Sequence, residues 1–111
     1  MKVIHNKLVR DHIPDIIHNS NKICQTRILD ENEYMKCLKE KLIEETNEVN
    51  AANNNEELIN ELGDVLEVID ALINASNISI DDVIQHKNMK ANKNGKFDKK
   101  IFLEWVDDNN G

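Results

Sequence analysis

Aromatic residues are scarce: one Trp, one Tyr and two Phe in 111 residues, with no cluster that stands out as a reader of a nucleobase. Cysteine is scarce too. Cys24 and Cys37 lack metal-ligand spacing, and in a chain of this kind they read as buried thiols rather than as a disulfide. The four histidines, at 5, 12, 18 and 86, are scattered, which argues against a zinc site. Long apolar runs are missing, so no segment spans a bilayer as a helix, and the N-terminus has no apolar core of a secretory signal. A cytoplasmic protein with no membrane partner is the expectation. With three glycines and one proline there is no Pro/Gly/Ser linker and no internal repeat, and residues 1–111 read as a single domain.

The most informative absence concerns charge. No lysine or arginine occurs from Leu42 through His86, a stretch that carries eleven acidic residues. The formal net charge of −7 argues against a nucleic-acid polymer as partner. Directly after the acidic centre come Lys87, Lys90, Lys93, Lys96, Lys99 and Lys100, opposed in that segment only by Asp98.

Four helical stretches are predicted. Pro14 suits the first turn of a short helix with Ile13, Ile16 and Ile17 on its apolar side. Asp30, with Glu33 three residues on, has the spacing of a capping box and opens a helix running to about Ala52. Asn53, Asn54 and Asn55 make a turn and cap a helix over 56–76, whose wheel shows an apolar arc of Leu58, Leu62, Val65, Leu66, Ile69, Leu72 and Ile73. Ser79 starts a fourth helix that ends before Gly95. The tail from Phe97 to Asp108, "FDKKIFLEWVDD", reads as a short helix or a docked tail, with Phe102 and Trp105 in core or subunit contacts. Strand signals are weak, so the fold class is all-α, a helical bundle.

One residue breaks the pattern of the second helix. Tyr34, Met35, Leu38, Leu42, Val49 and Ala52 share a face, and Glu45 falls inside that stripe. A carboxylate taken out of water is costly unless it is paired or holds a metal. Glu44, Glu45 and Glu48 cluster on one helix, Glu61 and Asp64 on the next, and the short turn between them implies antiparallel packing that brings the two clusters face to face. Carboxylates at close quarters share protons or recruit a cation. Because the stretch holds no lysine or arginine, an intrachain salt bridge is not expected, and a hard dication, Mg²⁺ or Mn²⁺ on oxygen ligands, is the economical answer. Such an ion is usually shared with phosphates, and Lys87, Lys90 and Lys93, recurring every third residue, form a phosphate-binding row. Against this stands the plain alternative that Glu-rich and Lys-rich helix faces are solvated.

The paired motif, "EETNE" at 44–48 and "ELGD" at 61–64, resembles the EExxE and ExxD signature of the all-α nucleotide pyrophosphohydrolases that include MazG and phosphoribosyl-ATP pyrophosphohydrolase. The segments "NKLVRDHIPDII" and "KANKNGKFDKKIFLEW" look like a small MazG-like subgroup related to the phosphoribosyl-ATP enzyme, although "NGKF" departs from the glycine pair of many relatives. The resemblance implies an all-α NTP pyrophosphatase (MazG-like) bundle that hydrolyses a nucleoside triphosphate between the α and β phosphates, in a house-cleaning role. It implies Glu45, Glu48, Glu61 and Asp64 as Mg²⁺ ligands, with Glu44 and Glu45 as the catalytic pair, Glu44 orienting or deprotonating the attacking water. Lys7, Arg10 and Asp11 match the subgroup's opening motif, where fold anchoring and phosphate contact are both open. A homodimer or homotetramer is implied. Phosphoribosyl-ATP hydrolysis in histidine biosynthesis, and a non-catalytic acidic helical interaction module, are the competing readings.

Overall fold

Local side-chain chemistry sets the helix boundaries. In the computed structural model, which describes residues 1–108, Asp30 Oδ1 accepts the Glu33 N–H at 2.8 Å and starts α2 (Glu31–Ala51). Asn54 Oδ1 accepts the Glu57 N–H at 2.9 Å and starts α3 (Asn55–Ala75), while the Glu57 carboxylate reaches back to the Asn53 N–H at 2.8 Å. These bonds satisfy N–H groups that the first turn of a helix leaves without an intrahelical partner. Before them lies α1 (Ile13–Asn19), with Pro14 in its first turn. Both α1 and α3 end in the same way: Asn21 (φ 60°) and Asn77 (φ 55°) take the left-handed position after the cap. The next N–H then closes back on the helix, Lys22 on the Ile17 carbonyl at 3.2 Å and Ile78 on the Ile73 carbonyl at 3.4 Å. Asparagine tolerates positive φ better than other residues with a side chain, which is why these stops work without glycine.

Residues Met1–Ile78 form one compact unit, in which α2 and α3 pack against each other as an antiparallel pair joined by the turn at 52–54. At about 1.5 Å rise per residue each helix is about 32 Å long, with Glu45 about 9 Å before the end of α2 and Glu61 about 9 Å after the start of α3. Leu38, Val68 and Ile73 are its buried residues, flanked by half-buried Tyr34, Met35, Leu42 and Val49 on α2 and Leu58, Val65, Ile69 and Leu72 on α3. The apolar arc expected on α3 is only partly covered. Leu62 and Leu66 are 45% and 61% exposed, and with Ile59 they form an outward row, while Val68 takes the buried place instead. A single neighbouring helix shields one side of α3, and an arc this wide extends past it. Gly63, a glycine inside α3, has nothing within 4 Å of where a Cβ would stand, so it is not there to admit a close neighbour within this chain.

Residues from Ser79 onward form the second unit. Ser79 caps α4 (Ile80–Asn94) by accepting the Asp81 N–H at 3.1 Å, and the helix stops at Gly95, whose φ of 86° and ψ of 178° lie outside the αL region usual for a glycine stop. From Phe97 to Asp108 the tail forms no helix. Phe97, Ile101, Phe102, Leu103, Trp105 and Val106 follow without helix or strand and are all exposed. Among the described residues there is no strand, so the fold is all-α, and no helix is long and apolar enough to cross a membrane.

Candidate functional site

About two turns in from the end of the α2–α3 pair that carries the connecting turn, oxygens of Glu45, Glu61 and Asp64 come within 4.8 Å of one another. Glu45 stands on the α2 face turned toward α3, its side chain only 13% exposed, because the period that buries Leu38 and Leu42 also carries residue 45 inward. Glu61 and Asp64, three residues apart, line the facing border of α3 and are half-buried. Glu48 is exposed and is not one of the three. Glu44 lies beside Glu45, its side chain 42% exposed.

The cations around this cluster correct the expectation that none would be available. Lys41, one residue before the cation-free stretch and one helical turn before Glu45, places its Nζ 3.5 Å from Glu45 Oε1 and 3.5 Å from Glu44 Oε1, with only 19% of its side chain exposed. From the N-terminal segment Arg10 Nη2 donates to Asp64 Oδ1 at 2.9 Å, and Lys7 Nζ approaches Glu44 Oε1 at 3.6 Å. The Arg10 backbone is itself held by α1, whose Ile13 N–H donates to the Arg10 carbonyl at 3.1 Å. The Lys41–Glu45 pair is legible in the sequence from its i, i+4 spacing, although Lys41 stands just outside the cation-free stretch. Arg10 is 54 residues from Asp64, and nothing in local spacing announces their contact.

Three half-buried carboxylates on two rigid helices suit a hard, oxygen-seeking dication. Opposite oxygens of an octahedral Mg²⁺ shell are about 4.2 Å apart, so a span of up to 4.8 Å closes by side-chain rotation alone. No sulfur or imidazole belongs to the cluster, which disfavours zinc. The other candidate residues belong to the second unit: Lys87, Lys90 and Lys93 are exposed along α4, and Lys90 and Lys93 line an open depression with His86, Met89 and Asn92. A shifted titration in the first unit lies elsewhere, at the start of α2, where the Arg27 guanidinium donates to both Glu33 oxygens at 3.3 and 2.9 Å and holds that carboxyl below the usual range.

The described residues thus form an all-α protein whose helical pair α2–α3 gathers three carboxylates, with Lys7, Arg10 and Lys41 around them. This chain belongs to the MazG nucleotide pyrophosphohydrolase family, whose domain matches residues 33–96, more than half of the sequence. The matched region contains Glu44, Glu45, Glu48, Glu61 and Asp64, all of α3 and all of α4. No curated protein and no solved structure matches the chain.

Proposed function

We propose that this protein is a Mg²⁺-dependent hydrolase of nucleoside triphosphates, cleaving between the α and β phosphates to release the monophosphate and pyrophosphate in a house-cleaning role. The observation that carries the reading is the convergence of Glu45, Glu61 and Asp64 from two antiparallel helices within a MazG domain. These three would hold the ion, and Glu48, on the adjacent turn of α2, is the remaining candidate ligand. Mn²⁺ would serve the same oxygens. A dication held there supplies charge neutralisation for the phosphates of the bound nucleotide.

The rest of the chemistry falls to the chain. Glu44, kept at the edge of the cluster by Lys7 and Lys41, orients a water toward the α-phosphorus and accepts its proton as the new P–O bond forms and the α–β anhydride bond breaks. Lys41, 3.5 Å from both Glu44 and Glu45, counters their charge and keeps both pointed into the site. Within the second unit, the exposed row Lys87, Lys90 and Lys93 on α4 is in this reading a candidate phosphate-binding face, its ammonium groups acting as point charges. No covalent nucleophile is required.

A homo-oligomer, dimer or tetramer, accompanies this activity. Its support is the apolar surface left uncovered: Ile59, Leu62 and Leu66 on α3, and the tail from Phe97 to Val106, with exposures from 45% to 97%. Exposed apolar side chains on each unit are the kind of surface that subunit contacts cover. Because the matched domain runs through both compact units, residues 1–111 work as one functional domain in this reading.

The test is a panel of canonical and modified nucleoside triphosphates with phosphoribosyl-ATP alongside, scored by pyrophosphate release with and without Mg²⁺. Metal-dependent release from triphosphates supports the proposal. Turnover confined to phosphoribosyl-ATP would assign the chain to histidine biosynthesis. No turnover, with nucleotide affinity indifferent to Mg²⁺, would leave an acidic interaction module.

A further inference from the structure

We propose that Arg10 is a phosphate-binding residue of this site, parked on Asp64 in the metal-free protein and freed for the substrate's phosphates when a dication takes that carboxylate. The inference rests on the pyrophosphohydrolase reading and extends it to the N-terminal segment, which lies outside the matched region.

The contact that Arg10 makes is a partial one. It gives one nitrogen, Nη2, to one oxygen, Oδ1 of Asp64, at 2.9 Å, and its side chain is 59% exposed. A guanidinium has five N–H donors in a planar fork, so most of that fork faces outward. Arg27 makes the informative contrast within the same chain, engaging both oxygens of Glu33 through two nitrogens. Where an arginine here braces a helix end it uses the full fork, whereas at the carboxylate cluster it holds on by one edge.

Position and charge point the same way. The Arg10 backbone is tied to α1 through the Ile13 N–H, so the residue is delivered to the cluster from a fixed point. Lys7 arrives from the same segment at Glu44. Four carboxylates, Glu44, Glu45, Glu61 and Asp64, are met by three cations, Lys7, Arg10 and Lys41. The metal-free cluster is therefore close to neutral, and a dication must compete with Arg10 for Asp64. Once displaced, Arg10 remains tethered beside a site that has gained positive charge and receives a polyanion. A planar fork matches phosphate oxygens bidentately, and a triphosphate offers the oxygens it needs. Lys41, largely buried on α2 and shared between two carboxylates, stays behind as a positioning residue.

Calorimetric titration of the full chain separates this from a purely structural role, with Mg²⁺ alone as the first probe and inorganic pyrophosphate in saturating Mg²⁺ as the second. Arg10→Gln removes the competitor, so Mg²⁺ alone should bind several-fold more tightly, while pyrophosphate should bind about tenfold or more weakly, the scale of losing a charge-assisted contact. Arg10→Lys keeps the charge but not the fork, and should hold Mg²⁺ affinity near that of the unsubstituted protein while recovering only part of the pyrophosphate affinity. Melting curves confirm that each variant is folded, and the Lys variant carries the test if the Gln variant is not. Unchanged pyrophosphate binding in either variant, or Mg²⁺ binding that weakens in parallel with it, would overturn the assignment. If the unsubstituted protein binds no Mg²⁺, the metal site itself fails and Arg10's role falls with it. Mg²⁺ binding that is intact but indifferent to Arg10 isolates the failure to this inference.

Discussion

Replacing Glu45 with glutamine separates a metal ligand from a structural ion pair, because the two roles predict opposite effects on the metal-free protein. Glu45 shares the cluster with two other carboxylates whose oxygens lie up to 4.8 Å away, and its attraction is to Lys41 at 3.5 Å. With an effective dielectric of about 20, each repulsion is about 3.5 kcal/mol and the attraction about 5 kcal/mol in gross terms. Glutamine removes two repulsions and one attraction. Breaking a buried pair is strongly destabilising, about 3–5 kcal/mol, when it orphans the partner charge, but Lys41 keeps Glu44 at 3.5 Å. The variant should therefore be as stable as the unsubstituted protein without metal, or more stable by up to about 2 kcal/mol. Its response to Mg²⁺ should disappear. For the unsubstituted chain, free Mg²⁺ at about a hundred times its dissociation constant adds about 2.7 kcal/mol, which for a domain of this size is a rise of roughly 10 °C or more in Tm. Thermal unfolding of both proteins, with and without Mg²⁺, reads all four values. A Glu45→Gln protein that loses 3 kcal/mol without metal, and still gains stability from Mg²⁺, would refute the reasoning and leave Glu45 as a structural counterion of Lys41.

Other outcomes follow from the same geometry. Gly63→Ala should raise stability by about 0.5–1 kcal/mol in denaturant unfolding, since the added methyl meets nothing and a glycine inside a helix is entropically costly; a loss of stability would show that another copy approaches the backbone there. Leu62→Asp combined with Leu66→Asp should leave helix content intact while shifting the protein to monomer in light scattering, and an unchanged mass would remove the outward row of α3 from the subunit contact. Arg27→Met should raise the Glu33 pKa toward the ordinary carboxylate range in an NMR titration, because the Arg27 hydrogen bond is the leading cause of its depression. A depressed folded-state pKa gives stability that is fully present above the ordinary carboxylate range and lost as the pH falls through the folded value, so the effect of removing Arg27 on stability should fade in acid.

The chain's helices were legible from residues alone because their determinants are local. Asp30, Asn54 and Ser79 each bond an N–H two or three residues on, and a fold that rests on such contacts is written within a single turn. The intrusion of Glu45 into an apolar stripe was likewise visible, and with it the facing of Glu45 by Glu61 and Asp64, since a short turn between two long helices admits little but antiparallel packing. What surrounds the carboxylates was decided by tertiary structure. Arg10 and Asp64 are 54 residues apart, and only the path of the N-terminal segment over the helix pair brings them together. Which side of a wide apolar arc is covered, Val68 rather than Leu62 and Leu66, depends on the rotation of α3 against its neighbour. Periodicity determines which residues share a face, but the direction in which that face turns is set by whatever packs against it.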